Sequence, residues 1–487
     1  MVTVPSALHL AEVAHWNREA DVVVIGQGVA GTCAALEAHR NGAEVLIIER
    51  ASGGGGASAV SSGIFYLGGG TAVQQACGYE DSPEEMANFL MASTDPLDPV
   101  ATRHFCDDSV SHFDWLEAQG VPFERTSFKG KAVFLNTTEC LFFTGNEKAW
   151  PYSLAAKPAP RGHKVAGTGE NAGAVSMAPL LQRCVDEGIP AIYDSNVTAL
   201  VQDDSGRVVG VQVKQPEGVI YIRARRGVII AAGSFNLNRE MIFENIPLMS
   251  ETAEPLGIPS NDGAGVLLGL SVGAATSAMD GVIPTASIYP PGQLIKGIIV
   301  NNRGERFVAE DSYHGRTACF VMEQPNQTAY LIVDSEIFAY PEITSARHEL
   351  VDGWETIEEM EAGLNLPLGS LVKTMADYNA DVAKGRDTLL HKQPEWLKPL
   401  DKGPYAAFDI SFNKSIYLFI TLGGLKTGGN GEVHDRLGSP IPGLYAVGAS
   451  AAHIPRTGKA YASGLSLGPG SYFGRRAGRH AAGANWS

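Results

Sequence analysis

A chain of 487 residues, 44% hydrophobic and 18% charged, has room for about three ordinary domains or two large ones, each with a full core. Its net charge of −16 offers a phosphate backbone no basic face, which argues against nucleic acid as a partner. Six scattered cysteines without a CxxC pair, no basic-then-apolar leader and no bilayer-length apolar run lead to the expectation of a cytoplasmic protein with no transmembrane segment, disulfide framework or metal site.

Residues 1–20 read as a lead-in containing a helix-like piece over 7–16. The strongest signal follows. An apolar strand over 22–25 breaks into Gly26-Gln27-Gly28-Val29-Ala30-Gly31, continues as a helix to His39, turns at Asn41-Gly42 and re-enters a strand over 44–48, closed by Glu49. This order is the βαβ nucleotide fingerprint. Gly26 makes the tight turn, Gly28 lets backbone approach a pyrophosphate, and Gly31 lets helix and strand pack closely. The helix start at Val29 and Ala30 presents N–H groups to phosphate. Glu49 is placed to accept from ribose hydroxyls, which argues against a 2′-phosphate and leaves FAD or NAD.

After Arg50 the stretch 51–63 is too rich in glycine and serine for a regular element. It reads either as a solvated linker or, given its place after the ribose acid, as a loop wrapping the cofactor through Ser58, Ala59, Ser61, Ser62 and Gly63. Helical spacing of apolar residues fills 82–119, while 120–176 has no assignable element. A helix over 176–187 precedes strands at 191–193, 197–202, 208–214 and 219–223, the last three forming an antiparallel meander whose first residue, Val197, is a cofactor candidate. A separate buried strand over 226–233 ends in Ala231-Ala232-Gly233, small residues suited to passing a cofactor where bulk is forbidden. Asn261 and Asp262 precede an apolar helix over 266–270; Asp262 either caps it or faces the cofactor. Composition shifts at about 281, and 281–404 reads as an inserted α+β module. Glycine-rich strand character returns to Gly448-Ala449, and a terminal helix over 465–482 is entered through Ala462-Ser463-Gly464 and starts at Leu465, Ser466 and Leu467.

Four pieces in this order carry a resemblance: the fingerprint with Glu49, the Ala231-Ala232-Gly233 strand, Thr421-Leu422-Gly423-Gly424 before Ile441-Pro442-Gly443, and the glycine-entered last helix. Together they resemble the fumarate reductase/succinate dehydrogenase flavoprotein family across the whole chain. The resemblance implies non-covalent FAD and an α/β fold. A Rossmann-like FAD-binding domain (1–280 and 405–487), with a parallel sheet and a small antiparallel meander, would be split by a substrate-covering domain (281–404). No histidine stands in the 51–63 loop to form a covalent flavin link, and the family's Gly-Glu before the last helix is Gly448-Ala449.

Dicarboxylate reductases of the family bind two carboxylates with arginines and histidines. Their matching positions here are Ile420, Ile283, Tyr461 and the Tyr313-His314 pair. That pocket suits an apolar ketone and is similar to that of the 3-ketosteroid dehydrogenase branch. Tyr461-Ala462-Ser463-Gly464 looks like the catalytic stretch of its Δ4-(5α) members. The resemblance implies C4 proton abstraction by Tyr461, a hydroxyl relay through Ser463 and Tyr313, and hydride transfer from C5 to flavin N5. Gly464 and its neighbours would polarise the C3 carbonyl. His314 and His453 read as local hydrogen-bonding residues. Δ1-dehydrogenation, or reduction of another apolar enone by a fumarate reductase-like flavoprotein, are the alternatives, and the electron acceptor is unknown.

Overall fold

The computed structural model describes residues 2–342, 348–452 and 454–486. Its centre is a sheet in which Pro440–Ala446, the end of Gly218–Ile230, Arg18–Ile25, Val45–Ile48 and Ala191–Ile192 lie side by side, all parallel. These strands are continuous apolar runs because both faces are covered. Val22 and Val24, with Val45, Ile47 and Ile229, face one core; Val23, Ile25, Leu46, Ile48, Val228 and Ile230 face the other. The pleat thus divides each run between two layers.

On the first of those faces lie two helices, Val29–Arg40 and Leu467–Ala481. They cross in backbone contact. A Cβ on Gly474 would stand 2.4 Å from the Ala30 carbonyl oxygen, and one on Gly478 only 2.0 Å from that of Ala34. Glycines four apart on one helix therefore meet alanines four apart on the other.

Several expectations need correction. Residues 7–16 are not helical: Leu8–His9 pairs as a short strand with Val201 and Gln202, and one 3₁₀ turn, Leu10–Glu12, follows. The His9 side chain accepts from Ala11 N–H, Glu12 reaches back to His9 N–H, and the chain leaves extended at Val13. The meander's last strand and the 226–233 strand are one element, Gly218–Ile230, whose register shifts between Ala224 and Gly227. Arg225 sits in that bulge, bonded to Asp21 and Glu44, so its exposed charge interrupts the apolar pattern without interrupting the strand. The 51–63 stretch includes a single helical turn, Gly56–Ala59.

The unassigned 120–176 segment adds Leu141–Phe142 and Gly162–Lys164 to Ile64–Tyr66 as a small sheet beside the C-terminal helix. The insert holds an antiparallel sheet of Ile298–Asn301, Ala329–Asp334, Tyr405–Asp409 and Glu349–Trp354, so its pairing runs past residue 404. Trp354 ends a strand there, and Thr356 caps the following helix, Ile357–Gly363. A second sheet, Glu254–Pro255, Leu418–Thr421 and Val282–Thr285, stitches the insert to the nucleotide-binding part. No helix among the described residues is long and apolar enough to cross a membrane.

Because the two helices touch through backbone, Gly478→Ala should cost about 1–3 kcal/mol of stability by overpacking. It should lower the thermal midpoint, whereas unchanged melting would show that the crossing tolerates a methyl group.

Candidate active site

A cavity of about 580 Å³ runs from the glycine turn to the seam below the insert. Gly26, at φ 99°, adopts a conformation that favours glycine, and a Cβ there would lie 2.4 Å from the Ala231 carbonyl oxygen. The turn brings the first helix into line with the cavity. That helix has Gly28 as N-cap and no side-chain cap, so its positive end opens inward. Val29 N–H donates to Ser58 Oγ at 3.1 Å, which binds the 51–63 loop over the same opening. Glu49 is buried; its Oε2 accepts from Gln27 N–H at 2.8 Å and its Oε1 from Ala51 N–H at 2.9 Å. Each carboxylate oxygen keeps a further lone pair for a ribose hydroxyl.

Gly26, Gly28, Val29, Ala30, Glu49, Arg50, Ser58, Ser61, Ser62, Val197, Ala231, Ala232, Gly233 and Asn261 all line the cavity, as do Gly448, which packs against Ala30, and Ala449, Gly464, Ser466 and Leu467. Five candidates stand behind the wall. Gly31 packs on the Gly26 carbonyl, Gly63 on Val165, and Leu465 is core. Ala59 packs against that core from its helical turn. Asp262 accepts from Arg50 Nη1 at 2.7 Å and from Ala264 N–H at 3.1 Å, so it caps the following helix and tethers Arg50.

Sequence reasoning missed Gln27, Ser195, Asn196, Ser234 and Asn236, which also line the cavity. They are single polar residues at strand ends, without a repeating pattern. Asn236 is held by Thr421, whose N–H and hydroxyl donate to its Oδ1 at 2.9 and 2.8 Å.

At the far end Gly464, at φ 101°, turns the chain into the C-terminal helix, which again lacks a side-chain cap at Ser466. Tyr461 Oη and Ser466 Oγ share a hydrogen bond at 2.8 Å; Tyr313 Oη and Ser463 Oγ share another at 2.9 Å. The two tyrosine rings lie 6.4 Å apart. Tyr461, Ser463 and Tyr313 are therefore brought together as expected, but as two adjacent hydroxyl pairs. Ser466, by sequence a cofactor candidate alone, is also the residue that holds Tyr461. Burial pushes the Tyr461 phenol up to about 12, with the Ser466 hydroxyl and N–H opposing, and burial holds Tyr313 well above the usual range.

Ile283 and Ile420 are register partners across two strands, and both line the cavity with Tyr313, His314 and Tyr461. Arg50, at the opposite end, is the one lysine or arginine among the lining residues. Among the described lining residues a dianion would meet no lysine or arginine beside the hydroxyl pairs. The expectation for His314 is corrected: burial pushes its imidazole down to about 3, and neither ring nitrogen has a hydrogen-bond partner among the described residues. His453 lies outside the described residues.

These residues fit FAD. One helix end, entered through Gly28, faces the position of a pyrophosphate, a buried acid faces that of a ribose, and a second helix end faces the electron-rich edge of a flavin. The family model described as FAD binding domain matches residues 21–463, so the chain belongs to that family of flavoproteins. Within that class it is similar to the 3-ketosteroid-Δ4-(5α)-dehydrogenase of Rhodococcus jostii RHA1, whose crystal structure is a complex with 4-androstene-3,17-dione. Identity is 41%, coverage 99% of this chain and 100% of that one, and the TM-score 0.91. The 3-oxo-5-alpha-steroid 4-dehydrogenase of Comamonas testosteroni is 29% identical over 501 residues, covering 90% of this chain and 94% of its own length. A fumarate reductase (cytochrome) of Shewanella frigidimarina is 27% identical over 482 residues, with 95% and 77% covered.

Replacing Glu49 by Ala removes a charged hydrogen-bond acceptor facing the ribose position, a loss of about 1.5–3 kcal/mol. The Kd for FAD, read by flavin fluorescence on the apoprotein, should rise by about tenfold or more; unchanged affinity would take Glu49 out of the cofactor site.

Proposed function

We propose that the chain dehydrogenates a saturated 5α-3-ketosteroid, forming a C4–C5 double bond conjugated to the C3 ketone. The observation that carries this reading is the replacement of charge by hydroxyl and hydrocarbon: Ile283, Ile420, Tyr313 and Tyr461 line one wall. Such a wall accepts a fused apolar ring system and supplies hydroxyl groups for one carbonyl and one mobile proton. The similarity to the two Δ4-(5α) enzymes supports the regiochemistry.

Bound FAD supplies the hydride acceptor for C5. Tyr461 removes the C4 proton as its phenolate, stabilised by the Ser466 hydroxyl and N–H and by the positive end of the C-terminal helix. Ser463 and Tyr313, hydrogen-bonded to each other beside it, carry the proton away. Backbone N–H groups at Gly464 polarise the C3 carbonyl, which acidifies C4. The insert acts as the cap that brings Tyr313 to the cavity and excludes water. Holding both reacting carbons in fixed geometry contributes much of the remainder.

Tyr461→Phe should lower kcat by about 10²–10⁴ while the flavin spectrum and content stay unchanged. Normal turnover in that variant would remove Tyr461 from the chemistry. Because a phenol near 12 is almost wholly protonated at neutral pH, kcat/KM should climb close to tenfold per pH unit between about 7 and 9. A flat profile would identify a different base.

A further inference from the structure

Tyr313 belongs to the insert, and Tyr461 and Ser463 belong to the loop that enters the C-terminal helix. Their hydroxyl geometry depends on how two separate pieces of chain are held together. The third piece that holds them lies in the stretch that showed no sequence pattern. Asn146 is buried at 2% exposure and does not line the cavity. Its Oδ1 accepts from Tyr313 N–H at 2.9 Å, and its Nδ2 donates to the Lys459 carbonyl at 3.4 Å. The partners set the amide's orientation, since one offers only a donor and the other only an acceptor. Two residues earlier, the Thr144 carbonyl accepts from Ser463 N–H at 2.9 Å. A Cβ on Gly145 would stand 2.6 Å from Ala462 Cβ, so this corner lies directly against the 461–463 backbone. Farther back, Lys131 Nζ donates to the Asp311 carbonyl, a second tie from the same segment to the chain leading into Tyr313.

We propose that Asn146 is a positioning residue: one side-chain amide bridges the backbone of Tyr313 on the insert and of Lys459 beside Tyr461, and so sets the Tyr313–Ser463 hydrogen bond. A lysine–carboxylate pair, Lys459 Nζ to Glu323 at 2.5 Å, ties the same two elements at the surface. It is partly exposed and screened. The buried amide is the tie that water does not compete for. The assignment rests on the reading that Tyr313 and Ser463 move the substrate proton.

The test is a kinetic cycle on the FAD-loaded enzyme with a saturated 5α-3-ketosteroid, comparing Asn146→Ala, Tyr313→Phe and the double variant. Asn146→Ala should lower kcat about tenfold and leave KM and flavin content within about twofold, the size of one lost buried hydrogen bond. The double variant should be no more than about twofold slower than Tyr313→Phe alone, because Asn146 acts through Tyr313. If Asn146→Ala does not fold, Asn146→Asp, which keeps the acceptor for Tyr313 N–H and the same shape, serves in the same cycle with the same non-additivity expected. A normal kcat in the Asn146 variants beside a slow Tyr313→Phe, or losses that multiply in the double variant, would overturn the Asn146 assignment alone. Full turnover in Tyr313→Phe would overturn the reading beneath it and the assignment with it.

Discussion

Two helices far apart in sequence meet backbone to backbone, with the Arg475–Glu37 ion pair beside the crossing, and the rest of the molecule is arranged around that contact. Gly474 and Gly478 let the C-terminal helix lie on the Ala30 and Ala34 carbonyls of the first helix. The first helix is in turn set by the glycine turn against the parallel strands. The result is two helix N-termini, neither bonded by its own N-cap side chain, opening on one cavity, one at the pyrophosphate end and one at the flavin end. A helix end carries about half a positive charge and acts within its first turn. Two such ends can serve the two electron-rich regions of one FAD only if the helices are held in fixed relation. Side chains at the crossing would separate them.

Within that frame the chemistry is decided by a few positions on the cavity wall. Flavin is common to reductases of dianions, where it gives hydride, and dehydrogenases of neutral ketones, where it takes hydride; the difference in substrate lies in what faces it. A buried carboxylate needs a paired cation, because desolvation of an unpaired ion costs several kcal/mol. Ile283 and Ile420, paired across neighbouring strands, offer none. They bury a hydrocarbon face at about 25 cal/mol per Å² of apolar area removed from water. The hydroxyl pairs Tyr461–Ser466 and Tyr313–Ser463 stand among the polar groups of the same cavity. The phenols of Tyr461 and Tyr313 are pushed up by that burial, the same burial that excludes water.

What was legible in the sequence was what local spacing encodes. The fingerprint from Asp21 to Glu49, the meander, the small-residue strand end and the glycine entry to the last helix all depend on neighbours a few residues away, and the grouping of Tyr461, Ser463 and Tyr313 proposed as catalytic came from matching them to a family pattern. What was not legible depends on distant partners. Residues 7–16 have a helical look in isolation, yet Leu8 and His9 pair with a strand some two hundred positions on. Arg225 and Arg226 break an apolar pattern without breaking a strand, because Asp21 and Glu44 hold Arg225 at the bulge. Ser466 as the partner of Tyr461, and the whole role of the 144–147 corner, exist only once the insert, the last helix and that irregular segment have been packed together.

Oxidation of a neutral, apolar ketone in this cavity, and not of a dicarboxylate, is read out by anaerobic titration of the yellow FAD-loaded protein, followed by its visible absorbance. A saturated 5α-3-ketosteroid should bleach the flavin stoichiometrically and yield the Δ4-3-ketone, while succinate leaves the spectrum unchanged. Bleaching by succinate, or a spectrum that no 3-ketosteroid alters, would contradict it.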